Sequence, residues 1–215
     1  YEAQKSMAKD LEQWSDTVEI EGFTVHRQAF MGFIPFTVAM AILATIFFFK
    51  YPLVSLILTI LGFIPLILEF LMYKQFVDPL FIGHPSHNVI ATRKATGETK
   101  KRIILCAHTD SAYEWKYTYK TGRKGVAFNI YGAAICLLLG LGFSVYGIVS
   151  NGAFSDIVWL ADGFITKILA VVLYLTLIVY FFNFSFINYK LPVTGCIDNL
   201  SGVFISNAVA KYLND

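Results

Sequence analysis

Four long windows without a charged residue constrain this chain more than any other feature. They are residues 28–49, 51–68, 125–155 and 168–189. A helix needs about 20 predominantly apolar residues to cross a bilayer. One buried helix of a soluble protein could account for a single window but not for four. We therefore expect four transmembrane helices, at about 30–49, 52–72, 126–149 and 164–187.

The composition supports this interpretation and excludes other classes. Of the 215 residues, 56% are hydrophobic and 15% are charged, whereas a soluble domain has about a quarter charged residues. The net charge of +2 is too small to indicate a nucleic-acid partner. Three cysteines (Cys106, Cys136 and Cys196) are odd in number and have no CxxC spacing, which argues against a disulfide framework.

The short connections between the windows predict two membrane hairpins. Lys50-Tyr51-Pro52 leaves room only for a tight turn, so residues 30–73 form one hairpin and residues 126–189 form the second. Each hairpin returns the chain to the side from which it entered. The polar segments therefore share one compartment and can form one domain. These segments are residues 1–29, 74–125 and 190–215.

Basic residues near the ends of the spans predict the orientation. The shared side has seven, against Lys50 and Lys167 on the other. Lys and Arg accumulate on the cytoplasmic side of membrane proteins, so we expect a multi-pass protein whose polar domain is cytoplasmic. Free cysteines fit such a reducing compartment. The seven residues are Arg27, Lys74, Lys116, Lys120, Arg123, Lys124 and Lys190.

The polar segments show the periodicities of an α/β domain. Apolar positions recur at helical spacing in residues 2–14 and again after Asp198. The pattern predicts strands at 18–25, 88–92 and 102–107. Pro85 breaks any helix that would align His84 and His87, so Gly83–His87 is interpreted as a loop. The order helix–strand–strand–strand–helix predicts an α/β sheet.

Two polar motifs carry groups suited to a metal. Ala107-His108-Thr109-Asp110-Ser111 follows the predicted strand at 102–107, where open α/β sheets place their chemistry. Gly195-Cys196-Ile197-Asp198-Asn199-Leu200-Ser201-Gly202 precedes the last predicted helix. His108 can supply a ligand nitrogen, Asp110 can orient the ring, and Asp198 can bridge two ions.

Each motif alone also has a structural interpretation. A histidine after a strand is commonly structural, and Asp198-Asn199 before a helix can be an N-cap. Tyr113–Tyr117 is aromatic and charged, which is typical of the belt at a membrane interface, with the rim of a substrate pocket as the alternative.

The two motifs together resemble the co-catalytic zinc aminopeptidases, a family that includes glutamate carboxypeptidase and, as a non-enzymatic relative, the transferrin receptor. The resemblance covers roughly residues 1–27, 84–115 and 191–215. It implies that His108 binds one zinc ion, that Asp110 supports His108 as a catalytic residue, and that Asp198 bridges two zinc ions. It also implies a cis peptide bond after Asp198.

The resemblance implies a fold and an activity. The fold is a partial zinc-exopeptidase-like α/β sheet sandwich, interrupted by two transmembrane helical hairpins. The activity is hydrolysis of N-terminal residues from a peptide substrate by a zinc-dependent exopeptidase embedded in a lipid bilayer. Two alternatives remain open: a non-catalytic membrane scaffold, and a glutaminyl-cyclase-like acyltransferase with a single zinc ion.

The chain departs from the soluble members of the family in two ways. About ninety residues separate its two motifs, because the second hairpin lies between them. The Glu-Glu pair of the family, whose first Glu is the general base, does not occur before Asp215. We therefore expect this chain to be an N-terminal fragment, inactive alone, with the general base and the remaining ligands beyond Asp215.

Overall fold

The computed structural model describes residues 1–154 and 163–213 of a mixed α/β chain. The helices are α1 Glu2–Leu11, α2 Ala29–Phe48, α3 Pro52–Pro65, α4 Thr118–Asn151, α5 Phe164–Phe184 and α6 Ser201–Tyr212. The strands are β1 Thr17–Val25, β2 His84–Thr92, β3 Tyr113–Trp115 and β4 Ile187–Pro192.

The chain divides into two compact units. The first, called here the polar unit, comprises Tyr1–Arg27, Ile82–Glu114 and Tyr189–Asp215. The second, called the helical unit, comprises Gln28–Phe81 and Trp115–Asn188. Both units are discontinuous in sequence, so each is completed only by residues far apart along the chain.

In its described residues, the helical unit contains four helices that are long and apolar enough to cross a membrane, as the charge-free windows predict. These are α2, α3 together with a π-helical continuation at Leu66–Leu71, α4 and α5. The tight turn predicted at Lys50–Pro52 is present, because α2 ends at Phe48 and α3 begins at Pro52. The four helices are compatible with a membrane protein. Helix α4 begins eight residues before the predicted span.

Small residues and hydroxyl groups lie where these helices meet. The Thr37 hydroxyl on α2 donates a hydrogen bond of 3.0 Å to the Gly62 carbonyl on α3. The Ser55 hydroxyl on α3 lies 2.8 Å from the Ser144 hydroxyl on α4. Helices in a bilayer gain little from burying apolar surface, so close packing and such hydrogen bonds hold them together.

The polar unit contains an antiparallel hairpin of β1 and β2, beside which helix α1 lies. The predicted helix at 2–14 and strands at 18–25 and 88–92 are confirmed. The predicted loop at Gly83–His87 is wrong, because β2 begins at His84 and pairs it with Val25. Pro85 is tolerated there because both strands of a two-stranded sheet are edges, where a missing N–H group need not break the ladder.

The predicted strand at 102–107 is also wrong. These residues have no regular secondary structure, and the side chains of Ile103 and Ile104 are 77% and 75% exposed. A buried strand needs hydrogen-bonded neighbours, and no strand in the described parts of the chain pairs with this segment. The described residues therefore form two sheets of two strands each, not the larger predicted sheet.

The second small sheet pairs β3 with β4, and the sequence pattern predicted neither strand. Strand β3 lies in the segment interpreted as an aromatic belt. Aromatic contacts do occur there: the rings of Trp115 and Phe186 are 5.3 Å apart, and those of Tyr113 and Tyr189 are 5.9 Å apart. The alternation of Tyr113, Trp115 and Tyr117 is the signal that could have revealed the strand.

Candidate functional site

The two sequence motifs meet in the polar unit. The backbone N–H of Val193 donates a 2.9 Å hydrogen bond to the Ala112 carbonyl, which joins the segments that carry them. Two residues later, Gly195 has a φ of +67°. A Cβ atom on Gly195 would lie 3.1 Å from the Cβ atom of Ser111. Glycine at this position therefore permits both the left-handed backbone and the close approach of the motifs.

The His108 ring lies between the two predicted carboxylates. Its Nε2 atom is 3.3 Å from Oδ1 of Asp198, and its Nδ1 atom is 3.3 Å from Oδ1 of Asp110. Nδ1 also lies 3.2 Å from the Asp110 backbone carbonyl. The structure thus brings together all three residues singled out from the sequence, two of which are about ninety residues apart.

Two adjacent residues before α6 have different roles: Asn199 caps the helix, and Asp198 faces His108. The Asn199 side-chain carbonyl accepts a 3.2 Å hydrogen bond from the backbone N–H of Gly202. The interpretation of Asp198-Asn199 as an N-cap is therefore met by Asn199, whereas the described residues show no capping hydrogen bond to Asp198. The peptide bond between Asp198 and Asn199 is cis, as the resemblance implies. Asn199 satisfies the start of the helix, which leaves the Asp198 carboxylate facing His108.

Helix α1 supplies a contact that the sequence pattern did not predict. The Gln4 side-chain amide donates a 3.1 Å hydrogen bond to the hydroxyl of Thr109, the residue between His108 and Asp110. Gln4 lies more than a hundred residues from this loop. No local pattern could reveal the contact, because it depends on where α1 packs.

The site is open to solvent. The side chains of His108, Asp110 and Asp198 are 50%, 86% and 87% exposed. Two carboxylates beside one imidazole provide oxygen and nitrogen atoms of the kinds that bind metal ions. Within residues 1–154 and 163–213, no group of three His, Cys, Asp or Glu side chains has the arrangement of a metal site. The chain thus presents two candidate donor atoms for a metal ion, Nε2 of His108 and a carboxylate oxygen of Asp198. Asp110 contacts the opposite nitrogen of the His108 ring.

Comparison with known proteins assigns this chain to no family. The chain matches no family model, no curated protein and no solved structure. A functional conclusion therefore rests on the residues and contacts of the chain itself.

Proposed function

We propose that the polar unit carries part of the zinc site of a membrane-bound exopeptidase, which hydrolyses N-terminal residues from peptides. One observation carries the proposal. The His108 imidazole lies between Asp110 and Asp198, which come from motifs separated by the second hairpin. The order of donors matches the order that the resemblance implies: a metal ligand, its supporting carboxylate and a second ligand.

The separation of the two donor atoms fits a shared metal ion. Ligands about 2.0–2.2 Å from a tetrahedral zinc ion lie about 3.4 Å from each other. The distance from Nε2 of His108 to Oδ1 of Asp198 is 3.3 Å. His108 and Asp198 would thus hold zinc, and a complete site needs further ligands, since zinc sites use three or four protein ligands.

Asp110 would control which nitrogen of the His108 ring carries the proton. A metal-binding histidine presents a neutral nitrogen to the metal and donates its other N–H group to a carboxylate or a carbonyl. Both acceptors are present at Nδ1, because the carboxylate and the carbonyl of Asp110 lie 3.3 Å and 3.2 Å away. With the Nδ1 proton donated to Asp110, the Nε2 lone pair would be available to a metal ion on the side where Asp198 lies.

Zinc in such sites activates a water molecule for attack on a carbonyl. The residues of this chain would position that chemistry. The second carboxylate oxygen of Asp198 would be available to a second zinc ion, and the exposure of this side chain leaves room for a peptide. The four apolar helices support attachment to a bilayer. The seven basic residues near the span ends favour a cytoplasmic polar unit.

Zinc content tests the proposal. Zinc per polypeptide is measured by elemental analysis on the full-length protein in detergent, for the wild type and for Asp198→Asn. Glu98→Gln is the matched control, because it also removes one carboxylate from an exposed position of the polar unit. We expect close to two zinc ions in the wild type and in the control, and fewer than one in Asp198→Asn. Aminopeptidase activity should fall at least about 100-fold in Asp198→Asn.

The other outcomes separate the alternatives. One zinc ion in the wild type would favour the glutaminyl-cyclase-like acyltransferase and would contradict a two-zinc peptidase. No zinc after metal supplementation, in protein shown to be folded by circular dichroism, would overturn the proposal and leave the membrane scaffold.

A further inference from the structure

Four cations cluster at the start of α4, in what is called here the basic segment. They are Lys116, Lys120, Arg123 and Lys124. All four side chains are exposed. Residues 115–154 contain no Asp or Glu, and in the described parts of the chain no carboxylate pairs with any of the four. The positive charge of the segment is therefore not neutralised within the helical unit.

A helix–helix contact sets the depth of Arg123 and Lys124. The Asn183 side-chain amide donates a 3.4 Å hydrogen bond to the Asn129 carbonyl, so Asn129 on α4 is level with Asn183 on α5. Helix α5 ends one residue later, at Phe184. Arg123 and Lys124 precede Asn129 by six and five residues, or about 9 and 7.5 Å at 1.5 Å per helical residue. Both cations therefore lie beyond the end of α5.

A break in α4 places Lys116 and Lys120 at the same end of the helical unit. Gly122 has non-helical angles, φ 57° and ψ −156°, so the turn at Tyr117–Thr121 is separate from the rest of α4. This turn is fixed to the end of α5: the Tyr117 hydroxyl lies 2.6 Å from the Ser185 hydroxyl, and its ring lies 5.6 Å from that of Phe182. Aromatic clusters of this kind occupy the membrane–water interface.

We propose that the basic segment binds the headgroup phosphates of anionic phospholipids. With the four apolar helices in a bilayer, the aromatic cluster lies at the interface and the four cations lie at headgroup depth. Cations at that depth attract anionic lipids, and the planar Arg123 guanidinium can bind a phosphate through two N–H groups. A zwitterionic headgroup has no net charge to attract. The surface should therefore enrich anionic over zwitterionic lipid, whatever reaction the polar unit performs.

Trp115 reports on the lipid next to the basic segment. In a Trp14→Phe, Trp159→Phe background, Trp115 is the only tryptophan. The protein is reconstituted into phosphatidylcholine–phosphatidylglycerol vesicles in which one of the two lipids is brominated, because bromine quenches nearby tryptophan fluorescence. Equal mole fractions of the two brominated lipids are compared. We expect about twofold stronger quenching by brominated phosphatidylglycerol.

Charge variants locate the preference. Lys120→Gln, Arg123→Gln and Lys124→Gln combined should make quenching by the two lipids equal. The matched control, Lys94→Gln, Lys100→Gln and Lys101→Gln combined, removes the same charge from an exposed stretch of the polar unit and should retain the preference. Lys120→Arg, Arg123→Lys and Lys124→Arg combined should also retain it.

Three results would overturn the proposal. They are equal quenching in the Trp115-only protein, loss of the preference in the matched control, and a preference that persists in 1 M salt, where charges are screened beyond about 3 Å. If the triple Gln variant does not fold, the single variants Lys120→Gln and Lys124→Gln should each lower the preference for phosphatidylglycerol. An unchanged preference in both would also overturn the proposal.

Discussion

The two units of this chain are each stabilised by a different kind of internal contact. Among the residues that the structure describes, the helical unit contains three clusters of buried apolar side chains, with Val38, Leu137 and Phe48 among their members. In the described residues of the polar unit, Ala8 is the one buried apolar side chain. The contacts that join the two motifs of the polar unit are hydrogen bonds and a close backbone approach at Gly195.

The difference follows from how each unit satisfies its backbone. A helix pairs its N–H and C=O groups within one segment, so each apolar window specifies its own structure. A strand depends on a partner elsewhere in the chain. In the polar unit, β1 has its partner β2, whereas the segment with Ile103 and Ile104 has none in the described residues. The helical unit should therefore be sensitive to packing, and the polar unit to a few backbone contacts.

The largest effect is expected for Gly147→Leu in the helical unit. A Cβ atom at Gly147 would lie 3.1 Å from the Cβ atom of Pro52 and 3.2 Å from the Phe48 ring. Overpacking this contact between α3 and α4 should lower the free energy of unfolding by about 2–3 kcal/mol. The measurement is unfolding by a denaturing detergent, with hydrogen exchange to locate the change.

Gly142→Leu is the control, because a Cβ atom at Gly142 meets nothing within 4 Å. It should leave stability unchanged or raise it slightly. Equal destabilisation by both variants would show that helix packing does not limit the stability of this unit.

Gly195→Ala should have the next largest effect, confined to the polar unit. Alanine at a φ of +67° is strained, and its Cβ atom would crowd Ser111. We expect a loss of about 1–2 kcal/mol, seen as faster hydrogen exchange around residues 107–112 and 193–202. Gly97→Ala, where a Cβ atom meets nothing within 4 Å, should change neither segment. Faster hydrogen exchange throughout α2 and α3 would contradict the expectation that the two units are stabilised by separate sets of contacts.

A double-mutant cycle on Ser55 and Ser144 should give a smaller effect. Their hydroxyls are 2.8 Å apart and buried between α3 and α4. Hydrogen bonds between helices in a membrane contribute on average about 0.6 kcal/mol. Unfolding free energies of Ser55→Ala, Ser144→Ala and the double variant should show coupling of that size. Strict additivity would mean that the contact contributes nothing beyond packing.

Tyr189→Phe should have a larger effect on stability in alkali than at neutral pH. Burial raises the pKa of Tyr189 to about 12. The unfolded tyrosine ionises near pH 10, so the stabilising contribution of the neutral phenol is complete below pH 10 and is lost as the pH rises to 12. The wild type should lose stability over this range more steeply than Tyr189→Phe. Identical pH profiles from 8 to 12 would indicate that Tyr189 is solvated.

The sequence predicted the helices well because their signals are local. The charge-free windows located α2, α3, α4 and α5, and helical periodicity located α1 and α6. The prediction failed where structure depends on distant partners. Residues 102–107 have the composition of a buried strand but no strand beside them, and residues 84–87 form a strand despite Pro85 because β1 is long enough to pair with them.

The candidate site shows the same contrast between local signals and contacts with distant residues. The motifs themselves identified His108, Asp110 and Asp198, because the residue types and their order are visible in the sequence. Gln4 could not be found in that way, since its hydrogen bond to Thr109 depends on the packing of α1. The position of the basic segment relative to the end of α5 likewise depends on the contact between Asn129 and Asn183.

The sequence by itself thus determined which segments are apolar enough for a bilayer, which residues could bind a metal, and where charge accumulates. Only the tertiary structure decided that Asp198 faces His108 and that Asn199, rather than Asp198, caps α6. The physical reason is the range of the interactions. Hydropathy and helix hydrogen bonds act within a few residues, whereas the distance between two donor atoms about ninety residues apart is set by the fold.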